Sequence, residues 1–272
     1  MTLKNMFSAL LTIASISAVS PLNAAETAWF ETDGGNVRIL TEPFMPGATS
    51  VRGLIDIDLL PGWKTYWRDP GSGGIPPSIQ INDAGLVTET EIKFPTPIWI
   101  SSKYGSYAGY DAPVQIPFTL HTNGPLVEQD IATRVFIGIC KDICIPAFSD
   151  FDLSVTQATG SSKTGIAVAA AFDALPKQPE EFGISITTST VMAQKLAIEI
   201  SGAGEGFSFF VSGQKGEQFN RPILVSANSE TTVFHVEPTD PFEDGQQVEV
   251  MLTGQTDEAT FETSVPVVFA SP

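Results

Sequence analysis

The sequence predicts an all-β protein built from antiparallel β-sandwiches. Glycine and proline are frequent, with 23 and 20 residues, and they interrupt the chain at short intervals. The segments between them are short and rich in Val, Ile, Thr and Phe, and several alternate apolar with polar residues, as in Leu54–Leu59. Alternation with a period of two buries one face of a strand and exposes the other, which is typical of the sheets of a sandwich.

Six segments show the strand pattern most clearly, and one segment breaks it. The predicted strands are Ser50–Leu60, Val87–Phe94, Val114–His121, Leu196–Ile200, Thr231–Val236 and Gln247–Leu252. The exception, Gly165–Leu175, is rich in alanine, and Pro176 follows it directly. Alanine favours helix and proline ends it, so this segment predicts a short helix.

The position of that helix suggests how the chain is divided. Polar residues flank it on both sides, which is typical of a linker. We therefore expect a first sandwich over residues 25–158, a linker with a short helix over 159–181, and a second, smaller sandwich over 182–272. The second sandwich holds no cysteine, so we expect thiol chemistry to be confined to the first.

Residues 1–24 predict a secretory signal peptide. Lys4 precedes a mostly apolar run, Met6–Val19, and small residues at Ala24-Ala25 suit cleavage. No later stretch approaches the roughly 18 apolar residues that a membrane helix needs, so no transmembrane segment is expected in the mature chain. The net charge of −17 disfavours nucleic acid as a partner, because phosphates require a basic surface.

The chain has two cysteines, Cys140 and Cys144, only four positions apart. Export places them in an oxidising compartment, where such a pair forms a disulfide. A disulfide needs Cα atoms roughly 4.4–6.8 Å apart, whereas residues i and i+4 of one strand lie about 13 Å apart. The two cysteines must therefore flank a tight turn. Because both flanks read as strands, Lys141-Asp142-Ile143 is predicted to be the tip of a hairpin.

The small loop that this disulfide closes favours a redox role. On the chain-entropy model a loop of about five residues stabilises a fold by only about 2 kcal/mol, which is little for a domain that buries its own core. A structural clip and a thiolate metal site remain alternatives. No organic or metal cofactor is expected.

Other candidate residues are weaker. His121 and His235 lie in predicted strands and are interpreted as structural. The aromatic stretch Gly62–Pro70 is interpreted as core packing. A second stretch, Ser101–Tyr110, places tyrosines among glycines and is predicted to be a mobile loop that forms a lid over a reactive site.

Three motifs, taken in order, resemble a known family. They are Gly62–Gly71, Ser102–Gly105 and Cys140–Pro146, and together they resemble the periplasmic N-terminal domain of DsbD, a membrane thiol:disulfide reductase. The likeness is closer to its relative ScsB, of the suppressor-of-copper-sensitivity group. It covers residues 30–175 well and extends more loosely through the second sandwich. The resemblance implies immunoglobulin-like sandwiches and a periplasmic location.

The resemblance also implies roles for the cysteines. In that family the domain takes electrons from a transmembrane part and passes them to periplasmic thioredoxin-fold partners. Cys144 corresponds to the cysteine that enters the mixed disulfide, and Cys140 to the one that resolves it. A cap loop shields the pair, and its matching residues here are Lys103, Tyr104, Gly105 and Tyr107.

Three departures from DsbD qualify these expectations. DsbD spaces its cysteines more widely, and it has acidic residues before the cap where this chain has Ser101 and Ser102. DsbD also carries membrane segments, so the electron donor here is expected to be a separate membrane protein. Two other functions remain open, a non-enzymatic binding module with a structural disulfide and the handling of Cu(I) by the two thiolates.

Overall fold

The structure, a computed structural model, describes residues 25–269 except 72, 83–84, 103–104, 161, 192–193 and 205–206, and without the side chains of 190–191. The predicted signal peptide, residues 1–24, lies outside this range. Within it, four antiparallel sheets and one α-helix confirm the prediction of an all-β fold of immunoglobulin-like sandwiches.

The first sandwich consists of strands that follow one another from residue 30 to residue 155. They are β1 (Phe30–Thr32), β2 (Gly35–Thr41), β3 (Ser50–Leu59), β4 (Lys64–Tyr66), β5 (Ser78–Ile81), β6 (Val87–Ile92), β7 (Ile98–Ser102), β8 (Gly105–Tyr110), β9 (Val114–Thr122), β10 (Gln129–Cys140) and β11 (Cys144–Val155).

These strands form two sheets that face each other. One has the order β1-β2-β3-β9-β6, and the other has the order β11-β10-β4-β8-β7, with β5 also paired to β10. Apolar side chains from both sheets meet in one core, with Ile55 and Phe118 on one side and Trp67 and Ile137 on the other. In the second sheet β10 is central, whereas β11 lies at the edge, and this difference governs the exposure of the two cysteines.

The predicted helix is present as α1 (Lys163–Asp173), and it begins two residues earlier than expected. Its N-cap is Ser162, whose side chain accepts a hydrogen bond from the Gly165 N–H, and this satisfies one of the free donors of the first turn. Val168 and other apolar residues of α1 pack against Leu40 and Leu54 of the first sandwich. A 3-10 turn (Pro179–Phe182) follows.

The second sandwich contains the remaining strands. They are β12 (Ser185–Val191), β13 (Lys195–Ser201), β14 (Ser208–Gly213), β15 (Ile223–Ala227), β16 (Thr231–Val236), β17 (Gln247–Gln255) and β18 (Thr260–Val268). One sheet has the order β12-β13-β16-β15 and the other the order β14-β17-β18. All six strands predicted from the sequence are present, as β3, β6, β9, β13, β16 and β17. The domain boundaries at residues 159–181 stay a prediction.

The two sandwiches are in direct contact. Phe210 of β14 is fully buried and belongs to the core of the first sandwich, where its ring packs 5.0 Å from Trp99 and 5.9 Å from Trp67. An ion pair of 2.6 Å joins Arg68 to Glu262 across the same contact. Among the helices that the structure describes, none is long and apolar enough to span a membrane.

Candidate active site

The cysteines lie at the end of a long hairpin. Strands β10 and β11 pair without a break from Gln129↔Val155 to Cys140↔Cys144. The two cysteines are therefore cross-strand partners, with Cα atoms 4.0 Å apart, and they form a disulfide. The Lys141 N–H donates to the Ile143 carbonyl, 3.1 Å away, and closes the tip. The predicted three-residue hairpin tip is confirmed.

The two cysteines differ in exposure. Cys140 is only 3% exposed, because β10 is flanked by β11 on one side and by β4 on the other, where Cys140 is paired with Lys64. Cys144 begins the edge strand β11 and is exposed to solvent. An incoming thiol or disulfide can therefore reach Cys144 and not Cys140.

The hydroxyl of Tyr66 lies 2.8 Å from the sulfur of Cys144. A disulfide sulfur carries no hydrogen, so the phenol is the donor. The register explains how the two residues meet. Cys140 pairs with Lys64, and Tyr66 lies two positions along β4, so its side chain projects from the same face of the sheet as both cysteines.

Glycines on both neighbouring strands leave room for the Tyr66 ring. By register Tyr66 faces Gly109 of β8 and Gly138 of β10. A Cβ atom at Gly138 would lie 2.9 Å from the Tyr66 ring, closer than real contacts allow. Glycine at position 138 is therefore needed for the ring to lie across the sheet and reach Cys144.

A second tyrosine packs against the first. The rings of Tyr66 and Tyr107 lie 5.0 Å apart. Burial raises the pKa of the Tyr66 hydroxyl, and burial together with the neighbouring Tyr66 raises the pKa of Tyr107 to about 12. Both phenols therefore stay protonated at neutral pH, and Tyr66 remains a hydrogen-bond donor to Cys144.

Sequence reasoning missed the contact of Tyr66 with the disulfide. The interpretation of Gly62–Pro70 as core packing holds for Trp67, which is 1% exposed. Alternation along the strand places Tyr66 on the opposite face, away from that core. One signal was available, since a glycine inside a strand, such as Gly138 two residues before Cys140, marks a close approach by another group.

The predicted cap region is partly described. Lys103 and Tyr104 lie outside the described residues, whereas Gly105 and Tyr107 belong to β8. The prediction of a loop over Ser101–Tyr110 is wrong for most of that stretch, since Gly105–Tyr110 pairs with Ile98–Ser102 as a hairpin. Cross-strand pairing of Tyr107 with Ile100 provides the packing that the composition alone did not indicate.

The disulfide lines a cleft of about 570 Å³ between the two sandwiches. The first sandwich contributes the cysteine hairpin and the β7–β8 hairpin, including Ser102, Gly105 and Tyr107. The second contributes residues 219–221 and Thr239. Gly105 and Tyr107, the described residues of the predicted cap, thus line the same cleft as the cysteine pair. Both cysteines belong to the first sandwich, and the second sandwich forms the opposite part of the cleft lining.

Hydrogen bonds between side chains and backbone groups join the two sandwiches at the cleft. The carboxylate of Asp69 accepts hydrogen bonds from the N–H groups of Gly71 and Phe219, each at 3.0 Å, and so joins the two sandwiches. Burial raises the pKa of Asp69, while these two bonds act in the opposite direction. The Trp99 indole N–H also donates across the contact, to the Phe209 carbonyl at 3.2 Å.

Metal ligands are sparse in the part of the chain that the structure describes. No three residues of His, Cys, Asp or Glu lie close enough together there to hold a metal ion. His121 lies in β9 and His235 in β16, and neither lines the cleft.

The chain was compared with known proteins. Residues 42–156 match the family model of the thiol:disulfide interchange protein DsbD, N-terminal. The crystal structure of the N-terminal periplasmic domain of ScsB from Proteus mirabilis matches with a TM-score of 0.73 and 19% sequence identity, covering 92% of this chain and 100% of that chain. Comparison with curated proteins finds no match.

These matches confirm the resemblance that the three motifs predicted. The segment matched by the family model includes Tyr66, Cys140 and Cys144, so the match covers the whole hairpin site. The structural match extends over both sandwiches and shows that they share the fold of the ScsB domain.

Proposed function

We propose that this protein is a periplasmic thiol–disulfide oxidoreductase that relays electrons through Cys140 and Cys144. Electrons arrive from a separate membrane donor and leave to thioredoxin-fold partners. One observation carries the proposal. The disulfide joins a buried and an exposed cysteine at a hairpin tip, beside a phenol donor, inside the segment that matches an interchange domain.

The exchange begins from the reduced pair. The Cys144 thiolate attacks a disulfide of the partner, a Cys144–partner bond forms, and one partner thiolate leaves. The Cys140 thiolate then attacks the Cys144 sulfur, the intramolecular disulfide forms, and the second partner thiolate leaves. The partner disulfide gains two electrons and the cysteine pair loses two, so the exchange needs no cofactor.

Each neighbour has a part in this scheme. Tyr66 donates a hydrogen bond to Cys144 in the disulfide, and the same donor would favour the thiolate over the thiol in the reduced pair. Lys141, next to Cys140, places a positive charge at the hairpin tip. Burial keeps Cys140 from attacking a second external disulfide, so it reacts with the Cys144 mixed disulfide instead.

The cap remains a proposal as well. Gly105 and Tyr107 line the cleft beside Cys144, and Lys103 and Tyr104 connect Ser102 to Gly105 in sequence. A cap made of these residues would shield the disulfide and slow attack by small thiols. A partner protein that docks on the cleft would displace the cap and reach Cys144.

A redox titration tests the function. The purified protein is equilibrated with glutathione buffers, and free thiols are trapped and counted by mass. We expect a reduction potential above about −300 mV, since structural disulfides lie below that value. A lower potential would support the binding module with a structural clip. A variant lacking both cysteines is the control for the trapping.

The Cu(I) alternative has a separate readout. Within the described residues no His, Asp or Glu joins the two cysteines in a three-ligand group. Titration of the reduced protein with Cu(I) in the presence of a competing chelator measures Cu(I) binding directly. We expect the competing chelator to prevent stoichiometric binding of Cu(I) to the reduced protein.

A further inference from the structure

One arginine differs from all the others. Four of the five arginines form ion pairs with carboxylates: Arg38 with Glu26 and Asp56, Arg52 with Glu42, Arg68 with Glu262, and Arg134 with Asp150. Arg221 has no carboxylate within ion-pair distance among the described residues. In a protein with a net charge of −17, an arginine without an acidic partner is notable.

Arg221 lines the cleft that contains the disulfide. Its guanidinium carbon lies 4.8 Å from the centre of the Trp99 ring, in a cation–π contact. Trp99 is itself held by its stack on Phe210 and by its hydrogen bond to the Phe209 carbonyl. The guanidinium therefore rests on a rigid platform.

The segment that carries Arg221 is anchored to the first sandwich. The Phe219 N–H donates to Asp69, and the Gln218 side-chain amide donates to the Gly71 carbonyl at 3.2 Å. Arg221 itself is exposed at the cleft. Its position relative to the cysteine hairpin is thus set by contacts between the two sandwiches, while its donors stay accessible to a ligand.

The other charged groups at the cleft do not neutralise the Arg221 guanidinium. Asp69 is engaged by two backbone N–H groups, while Lys141 and Asp142 carry opposite charges on the hairpin tip. A guanidinium presents a planar set of N–H donors that matches a carboxylate in two-pronged geometry. A carboxylate that enters the cleft beside the disulfide would find its partner in Arg221.

We propose that Arg221 is a specificity-determining residue that binds a carboxylate flanking the reactive cysteine of a polypeptide partner. This inference rests on the exchange function proposed for Cys144. The cleft is open beside the disulfide and, at about 570 Å³, has room for the few residues that flank a partner's cysteine. The second sandwich would then select the partner that the first sandwich reduces.

Matched peptide disulfides test this assignment. Two short capped peptides are each dimerised through a single cysteine, and they differ only in having Glu or Gln on both sides of it. The reduced protein donates two electrons to either dimer, releases two peptide thiols and forms the Cys140–Cys144 disulfide. The second-order rate is followed by acid quenching and mass analysis. Oxidised glutathione serves as a low-molecular-weight comparison.

For the unmodified protein we expect the Glu dimer to react about three- to tenfold faster than the Gln dimer, as for a partly exposed charge-assisted contact. Arg221→Gln should remove this preference, so that the two dimers react at similar rates. Arg221→Lys should keep part of it. Arg134→Gln, on the same hairpin as the cysteines but paired with Asp150, is the matched control and should behave like the unmodified protein.

Other outcomes would overturn the assignment. Equal rates with both dimers in the unmodified protein would do so, as would a preference that survives Arg221→Gln or is lost only in Lys141→Gln. An effect of Arg221 on glutathione alone would exclude a polypeptide as the ligand. If no disulfide oxidises the reduced protein, the exchange function itself fails, which is a separate result. The salt dependence of the preference of the unmodified protein for the Glu dimer tests the charged contact without a variant.

Discussion

The hydroxyl of Tyr66 and the sulfur of Cys144 lie 2.8 Å apart, so a buried phenol donates to the exposed half of the disulfide. The two residues come from β4 and β11, which are not paired with each other, and β10 lies between them. The Tyr66 side chain therefore crosses a neighbouring strand to reach the sulfur of Cys144.

Replacing Tyr66 with Phe should raise the pKa of the Cys144 thiol. Hydrogen bonds to charged groups contribute roughly 1.5–3 kcal/mol, so loss of this one should raise the pKa by about one unit or more. The measurement is the pH dependence of Cys144 alkylation in a Cys140→Ser background. Tyr107→Phe, which keeps the ring against Tyr66, is the control. An unchanged pKa in Tyr66→Phe would mean that the bond is not made to the thiolate.

Single cysteine variants should trap different amounts of partner. Cys140→Ser leaves the exposed Cys144 with no resolving thiol, so mixed disulfides with periplasmic thioredoxin-fold proteins should accumulate. Cys144→Ser leaves only the buried Cys140 and should trap none. Non-reducing gels of periplasmic extract measure both. The reverse pattern would exchange the two roles, and no adduct from either variant would favour a structural clip.

Removing the Tyr104 side chain should speed reduction of the disulfide by dithiothreitol. The expectation follows from the composition of the predicted cap and from the place of Gly105 and Tyr107 beside the cysteines in the cleft. Stopped-flow reduction of Tyr104→Ala measures the rate, and Trp29→Ala, at an exposed aromatic residue, serves as the control. An unchanged rate in a folded variant would remove the cap from the scheme.

Phe210→Ala should destabilise the contact between the two sandwiches. Phe210 is fully buried between Trp67 and Trp99, and truncation of a buried Phe costs about 3–5 kcal/mol. Phe148→Ala, at a residue that is 63% exposed, should change the free energy of unfolding by less than about 0.5 kcal/mol. Denaturant unfolding measures both. A small effect at Phe210 would mean that the sandwiches are held by their other contacts.

The pH dependence of stability should reflect Asp69. Burial raises its pKa above the ordinary value of 3.8, so the folded state binds a proton more tightly than the unfolded state. The stability that this proton contributes is complete below the unfolded pKa and is lost as the pH rises through the folded pKa.

The test for Asp69 compares slopes, not absolute stabilities. The side chain of Asp69→Asn cannot titrate. The free energy of unfolding of this variant minus that of the unmodified protein should therefore increase as the pH rises from about 3.8 through the raised pKa. Urea unfolding at a series of pH values measures the difference. A constant difference across this range would show that Asp69 has the same pKa in both states.

Local patterns in the sequence were enough to predict much of this protein. Alternation of apolar and polar residues predicted β3, β9 and β16, because each strand carries its own buried and exposed faces. The cysteine hairpin followed from the reach of the chain, since a disulfide between residues four apart requires a turn. The motifs around Trp67 and Cys140 predicted the resemblance to the DsbD N-terminal domain, because each motif is a short continuous segment that can be read without the fold.

Tertiary structure decided the features that depend on distant pairings. Cys140 is buried and Cys144 exposed because β10 is an interior strand and β11 is an edge strand. The order of strands in a sheet cannot be deduced from the sequence of either strand alone. Tyr66 reaches Cys144 because Gly138 and Gly109 face it from the two strands beside β4. Arg221 lines the cleft because the second sandwich docks through Phe210 onto the tryptophans of the first, a contact between segments that no local pattern links.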